Sequence, residues 1–156
     1  ASGQGGGIIQ TIHADTTTEV SNDTNSYEDT GLSANITPTS STNKILIIVC
    51  QHLRAVGSGT TVGMGYRVMR GSTIIEEGRP SDSTGPFQYY FAGGFGSTPN
   101  FYLTHSFQML DDPGVTTQLT YKTRFRHYNG GTIFAQNAGG TLNGKSRIIL
   151  HEISGD

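Results

Sequence analysis

Residues 121–127 are Tyr-Lys-Thr-Arg-Phe-Arg-His, in which side chains suited to a protein core alternate with cations. A strand with one buried face requires this period of two, whereas a helix would distribute the same residues around its axis. Residues 101–109 repeat the pattern, since one face carries Phe101, Leu103, His105, Phe107 and Met109. The two stretches predict strands that each cover a core, and we expect the chain to be all-β.

The same alternation extends along most of the chain and is interrupted by Gly, Asn, Asp and Pro. About ten strands result, at the spacing typical of an antiparallel β-sandwich or barrel. Residues 1–7 are Gly-rich and predict a flexible leader or linker. Residues 8–156 are expected to form one domain.

Composition excludes several classes of partner. The net charge of the 156 residues is −2, so no electrostatic footprint for nucleic acid is present. No apolar run approaches the roughly 18 residues of a membrane span, and we expect no membrane insertion. Cys50 is the only cysteine, so no disulfide can form within the chain and stability must come from packing or association.

Two segments depart from the alternation. Residues 45–50 and 148–150 are apolar at consecutive positions, so both faces of these strands are apolar. The outer strand of a monomeric sandwich needs only one apolar face. Either a loop or the leader covers the second face, or neighbouring copies of the chain pack on it, which is the interpretation that we favour.

No catalytic or metal-binding pattern is apparent in the sequence. The five histidines lie in separate predicted strands, and no His-X-His pair is present. Neighbouring carboxylates, as in Glu76-Glu77 and Asp111-Asp112, point to opposite faces of a strand or belong to a turn. Gly-X-Ser-X-Gly is also missing. We therefore expect no enzymatic activity, no cofactor and no metal.

A recognition surface is predicted around residues 79–100, where aromatic side chains lie among Gly, Ser and Pro. Tyrosines on a rigid frame bind sugars and proteins at low entropic cost. Phe87, Tyr89 and Phe91 are expected to alternate inward as core. The predicted receptor contacts are Arg79, Asp82, Tyr90, Tyr128 and Asn129.

Four phrases in order resemble a head domain of bacteriophage tail fibres and other virion appendages. The first is Leu32-Ser-Ala-Asn-Ile-Thr-Pro-Thr-Ser-Ser-Thr-Asn-Lys-Ile-Leu-Ile47, and the second is Arg70-Gly-Ser-Thr73. The third is Asp111-Asp-Pro-Gly-Val-Thr-Thr-Gln-Leu-Thr-Tyr-Lys122, and the fourth is Asn129-Gly-Gly-Thr132. The resemblance runs from about Ile8 to Ile153 and contains no catalytic motif.

This resemblance implies a jelly-roll head similar to complement C1q and tumour-necrosis-factor domains, assembled as a homotrimer on a fibre or spike. Receptor contacts vary within the family, so no binding residue is carried over. The expected trimer interface consists of Ile45, Ile47, Val49, Ile149 and His151.

The expected function is non-enzymatic attachment of a virion to a host surface glycan or protein. Other virion proteins would join through the N-terminal side, and the chain would reside on a tail fibre, spike or capsid surface. One alternative is a capsid decoration or tail-assembly protein without a host ligand. Another is a secreted C1q-like binding domain, although residues 1–7 contain none of the Gly-X-Y triplets of a collagen stalk.

Overall fold

A computed structural model describes residues 6–57, 61–78, 89–92, 100–128, 130–137 and 144–155. Within these ranges the chain forms eleven strands and no helix, which confirms the all-β prediction. The strands are β1 (Ile8–Thr16), β2 (Val20–Asn22), β3 (Glu28–Ile36), β4 (Lys44–Val56), β5 (Thr61–Arg70), β6 (Thr73–Gly78), β7 (Tyr89–Ala92), β8 (Asn100–Asp111), β9 (Leu119–Tyr128), β10 (Thr132–Ala135) and β11 (Ser146–Ile153).

The strands form two antiparallel sheets. Sheet A has the order β1-β11-β4-β10-β2, with β8 paired to the other edge of β4. Sheet B has the order β3-β9-β5-β6, and β7 also pairs with β5. Sheet A contains the first and last strands and sheet B takes its strands from the middle of the chain, so the chain crosses repeatedly between the sheets. This is the jelly-roll type of sandwich.

The core lies between the sheets and follows the predicted alternation. Tyr121, Thr123 and Phe125 of β9 are completely buried, whereas the intervening cations are partly exposed. On β8, His105 is buried and Tyr102, Thr104, Ser106 and Gln108 are exposed. The inward and outward faces predicted for residues 101–109 and 121–127 are therefore confirmed.

The segment between β1 and β3 is rich in Thr, Ser and Asn and nevertheless contains a short strand. Val20–Asn22 forms β2, whose residues pair with Ile133, Phe134 and Ala135 of β10. Asn22 is buried and donates from Nδ2 to the carbonyl of Phe125, 2.9 Å away. This polar strand is stable because it pairs with the edge of β10 and because the buried side-chain amide of Asn22 is hydrogen-bonded.

One buried carboxylate joins β1, β11 and the turn between β3 and β4. Oε1 of Glu152 accepts hydrogen bonds from the Thr39 amide at 2.6 Å, from Thr39 Oγ1 at 2.8 Å and from Asn43 Nδ2 at 2.6 Å. Gln10 Nε2 donates to Oε2. Burial alone would raise the pKa of Glu152, but the hydrogen bonds from Asn43, Gln10 and Thr39 outweigh it and lower the pKa to about 2.

The Glu152 network predicts a specific acid sensitivity. Below pH 4.5, the ordinary pKa of the carboxyl group, Glu152 becomes protonated in the unfolded chain. In the folded chain it remains ionised until about pH 2. Stability from this group is therefore complete above pH 4.5 and is lost between pH 4.5 and 2, by about 3 kcal/mol. Urea unfolding of wild type and Glu152→Gln across this range should show a larger pH slope for wild type. Glu28→Gln, at an exposed site, is the control, and equal slopes for all three proteins would contradict the assignment.

Candidate functional site

The outer face of sheet A is unusually apolar for a surface facing solvent. Its side chains on β4 and β11 include Leu46, Ile48, Cys50 and Ile149, all partly exposed in the single chain. Leu110 of β8 extends the surface and is 56% exposed. Contiguous apolar surface of this kind marks an interaction site more often than a free surface. We refer to it as the apolar face of sheet A.

Strand register aligns these side chains in rows. Ile48 lies between Ile149 of β11 and Gln108 of β8, and the next row along β4 places Leu46 between His151 and Leu110. A shallow hollow of about 370 Å³ lies along β4 and β8, bordered by Ile48, Cys50, Ser106 and Gln108 among others. A partner surface could insert side chains between the two strands at this hollow.

The structure corrects three of the five residues expected at the trimer interface. Ile45, Ile47 and Val49 point into the sandwich and are buried by their own chain, with exposed fractions of 0%, 0% and 1%. They pack with residues of β3, β9 and β11 in one core cluster, so no partner subunit can reach them. Ile149 and His151 lie on the outer face, as an interface residue must.

The histidines do not form a ligand set. His151 Nδ1 lies 2.8 Å from Thr11 Oγ1, and His13 is opposite Ile149 in the register of β1 and β11. His105 is buried against Tyr66 and Phe107, where burial lowers its pKa to about 4. In the described part of the chain, no group of three or more His, Cys, Asp or Glu residues is placed to hold a metal ion.

The predicted receptor contacts are only partly covered by the structure. Arg79, Asp82 and Asn129 lie outside the described residues. Tyr90 of β7 and Tyr128 of β9 both pair with Gly63 of β5, one from each side. The structure therefore brings the backbones of these two tyrosines to the same level of sheet B, although they are far apart in sequence.

A second surface, on the outer face of sheet B, was not singled out by sequence reasoning. It contains an open trough of about 820 Å³ with Lys122 and Arg124 among its lining residues. Asp29 Oδ2 accepts from Lys122 Nζ at 2.8 Å, and Asp29 Oδ1 lies 3.0 Å from Arg124 Nε. The cations alternating along residues 122–126 were the available signal, but the sequence did not show which carboxylate and which loops would surround them.

Comparison of the sequence with protein-family models and with curated proteins finds no match. None of the described residues belongs to a helix long and apolar enough to cross a membrane. The two outer faces of the sandwich are the surfaces on which this chain can meet a partner.

Proposed function

We propose that this chain is the non-enzymatic head of a phage tail fibre or spike, assembled as a homotrimer and binding a glycan or protein on the host surface. Other virion proteins would join through the N-terminal side. The observation that carries the proposal is the apolar face of sheet A. At its centre Ile48 lies beside Ile149, and neither side chain belongs to the core of the single chain.

Packing of this face against sister subunits would remove its apolar side chains from water, at roughly 25 cal/mol per Å² of area covered. An arrangement with closed threefold symmetry would cover the face in every copy. The interior of each sandwich is complete without a partner, so each subunit can fold first and then associate.

The same arrangement favours a role in attachment. The two outer faces of a sandwich point in opposite directions, so association through sheet A leaves the trough of sheet B exposed on every subunit. Three equivalent sites per trimer, and several fibres on a particle, would convert weak single contacts into firm adhesion through effective concentration.

Attachment is tested on whole bacteria with the purified, fluorescently labelled protein. We expect the wild-type trimer to coat cells of a susceptible strain and to block adsorption of the phage that carries it. The Ile48→Asp variant, argued below to be monomeric, should bind the same cells at least tenfold more weakly because avidity is lost. A trimer that binds no bacterial strain in a broad panel would contradict attachment and favour a capsid-decoration or tail-assembly role.

A further inference from the structure

The trough lies where the outer face of sheet B meets β2, and its lining contains two cations, Lys122 and Arg124, and three carboxylates, Asp23, Glu28 and Asp29. Lys122 and Arg124 of β9 lie next to Met69 of β5, which is opposite Lys122 in register. Asp23 follows β2 and Glu28 is the first residue of β3, and the hairpin residues Gly71 and Ser72 also line the trough. The trough could hold a short saccharide segment, because ligand sites commonly occupy about 300–1,000 Å³.

Two further cations lie beside Lys122 and Arg124, and one of them, Arg67, is also opposite Glu77 of β6 in register. Arg124 is directly opposite Arg67 of β5, and Arg126 follows on the same face of β9. Like charges directly opposite each other on neighbouring strands destabilise a sheet. The ring of Tyr27 lies 3.7 Å from the Arg67 guanidinium carbon and 5.0 Å from that of Arg126, which holds both guanidinium groups over the sheet.

Gly65 makes this arrangement possible. A Cβ atom at this position would lie 2.6 Å from the Tyr27 hydroxyl and 3.1 Å from Arg126 Nε. Only a residue without a side chain leaves space for the ring to lie on the sheet between the cations. The local sequence of β5 is therefore suited to maintaining a cationic surface.

Lys122 and Arg124 are held in place but retain hydrogen-bonding capacity. Asp29 contacts both, and Arg124 also donates from a terminal nitrogen to the Tyr27 carbonyl. The hydrogen bonds among these contacts use one donor of Lys122 and one of Arg124, whereas an ammonium has three and a guanidinium five. Both side chains are 30% exposed towards the trough. An incoming carboxylate would therefore meet two oriented cations.

We propose that this trough binds an acidic saccharide, whose carboxylate pairs with Lys122 and Arg124 and whose hydroxyl groups donate to Asp23 and Glu28. A polyphosphate chain is disfavoured because those two carboxylates would repel it. The inference deepens the proposed attachment function, on which it depends for its biological role, since it names the class of receptor.

The test measures binding of the wild-type protein to uronic-acid and sialic-acid oligosaccharides, each paired with its carboxyl-reduced counterpart. We expect at least one acidic member to bind ten or more times more tightly than its neutral partner, and to lose affinity as salt is raised. Lys122→Gln and Arg124→Gln should each weaken that binding about tenfold. Lys145→Gln is the matched control, because Lys145 also pairs with an aspartate, Asp15 at 3.4 Å, but lies away from the trough.

Equal binding of acidic and neutral partners across the panel would overturn the inference. The inference would also be overturned if Lys122→Gln and Arg124→Gln bind the acidic saccharide as tightly as Lys145→Gln does. If the trimer coats host cells but binds no acidic saccharide, this inference fails and the attachment proposal stands. If acidic saccharides bind with the expected variant pattern but no cells are coated, this inference stands and attachment fails.

Discussion

We expect Gln51→Met to lower the free energy of unfolding by about 3–5 kcal/mol, although the new side chain is similar in volume and apolar. Gln51 is completely buried in the middle of β4. Its Nε2 donates to Gln136 Oε1 at 2.6 Å and to Ser146 Oγ at 2.9 Å. Its Oε1 accepts from the Tyr66 hydroxyl at 3.1 Å and from Thr123 Oγ1 at 2.9 Å.

The large effect comes from the partners rather than from Gln51 itself. Removing the amide takes one hydrogen bond from each of four buried partners, and each lost bond costs about 0.5–1.5 kcal/mol. Both sheets are affected, because Tyr66 and Thr123 belong to sheet B whereas Gln51 belongs to sheet A.

Leu53→Met is the matched control for Gln51→Met. Leu53 is equally buried, lies two residues further along the same face of β4 and packs in a purely apolar cluster. Its exchange for Met should cost less than about 1.5 kcal/mol. Urea unfolding of the three proteins at one concentration compares the losses. A Gln51→Met loss no larger than that of Leu53→Met would show that the hydrogen-bond network contributes little.

Gln51 also explains why the faces of β4 were assigned incorrectly from sequence. In residues 45–50 both faces are apolar, so the alternation does not indicate which face is inside. Gln51 lies on the same face as Ile45, Ile47 and Val49 and suggests that this face is outward, whereas Lys44, His52 and Arg54 suggest that the opposite face is outward. In the structure Gln51 is inside, since partners 85 and 95 residues away in sequence satisfy its amide.

The trough of sheet B shows the same limit. Alternation alone placed Lys122 and Arg124 on the outer face, and the structure agrees. Their shared partner Asp29 is 93 residues from Lys122 in sequence and becomes a neighbour only when β3 pairs with β9. Asp111, which was expected to serve a turn, instead ends β8 and contacts Arg70 at 2.7 Å and the Tyr121 hydroxyl at 2.6 Å. The local alternation of residue types therefore predicted which face of β9 each side chain occupies, whereas long-range strand pairing determines which residues come together in a site.

Ile48→Asp is expected to convert the proposed trimer into a folded monomer. Ile48 occupies the central row of the apolar face, between Ile149 and Gln108, and its side chain points away from the core. Trimer formation would remove the new carboxylate of each subunit from water, with no cation in its own row of the sheet. An unpaired buried charge of this kind costs several kcal/mol. We expect the dissociation constant to rise on the order of 100-fold or more. The single chain should remain folded, since Ile48 belongs to neither core cluster.

The decisive measurement is sedimentation at micromolar concentration, together with the far-ultraviolet spectrum of each variant. Wild type should sediment at about 50 kDa, three times the 16.7 kDa of one chain, and Ile48→Asp at the mass of one chain with an unchanged β spectrum. Ile74→Asp is the control, because it makes the same exchange at an isoleucine of β6 in sheet B that is 42% exposed. It should remain a trimer if sheet A, and not sheet B, forms the interface. Two results would contradict this role of the apolar face. One is a monomeric wild type, and the other is a trimer that is disrupted by Ile74→Asp but not by Ile48→Asp. In either case multivalent attachment would lose its physical basis.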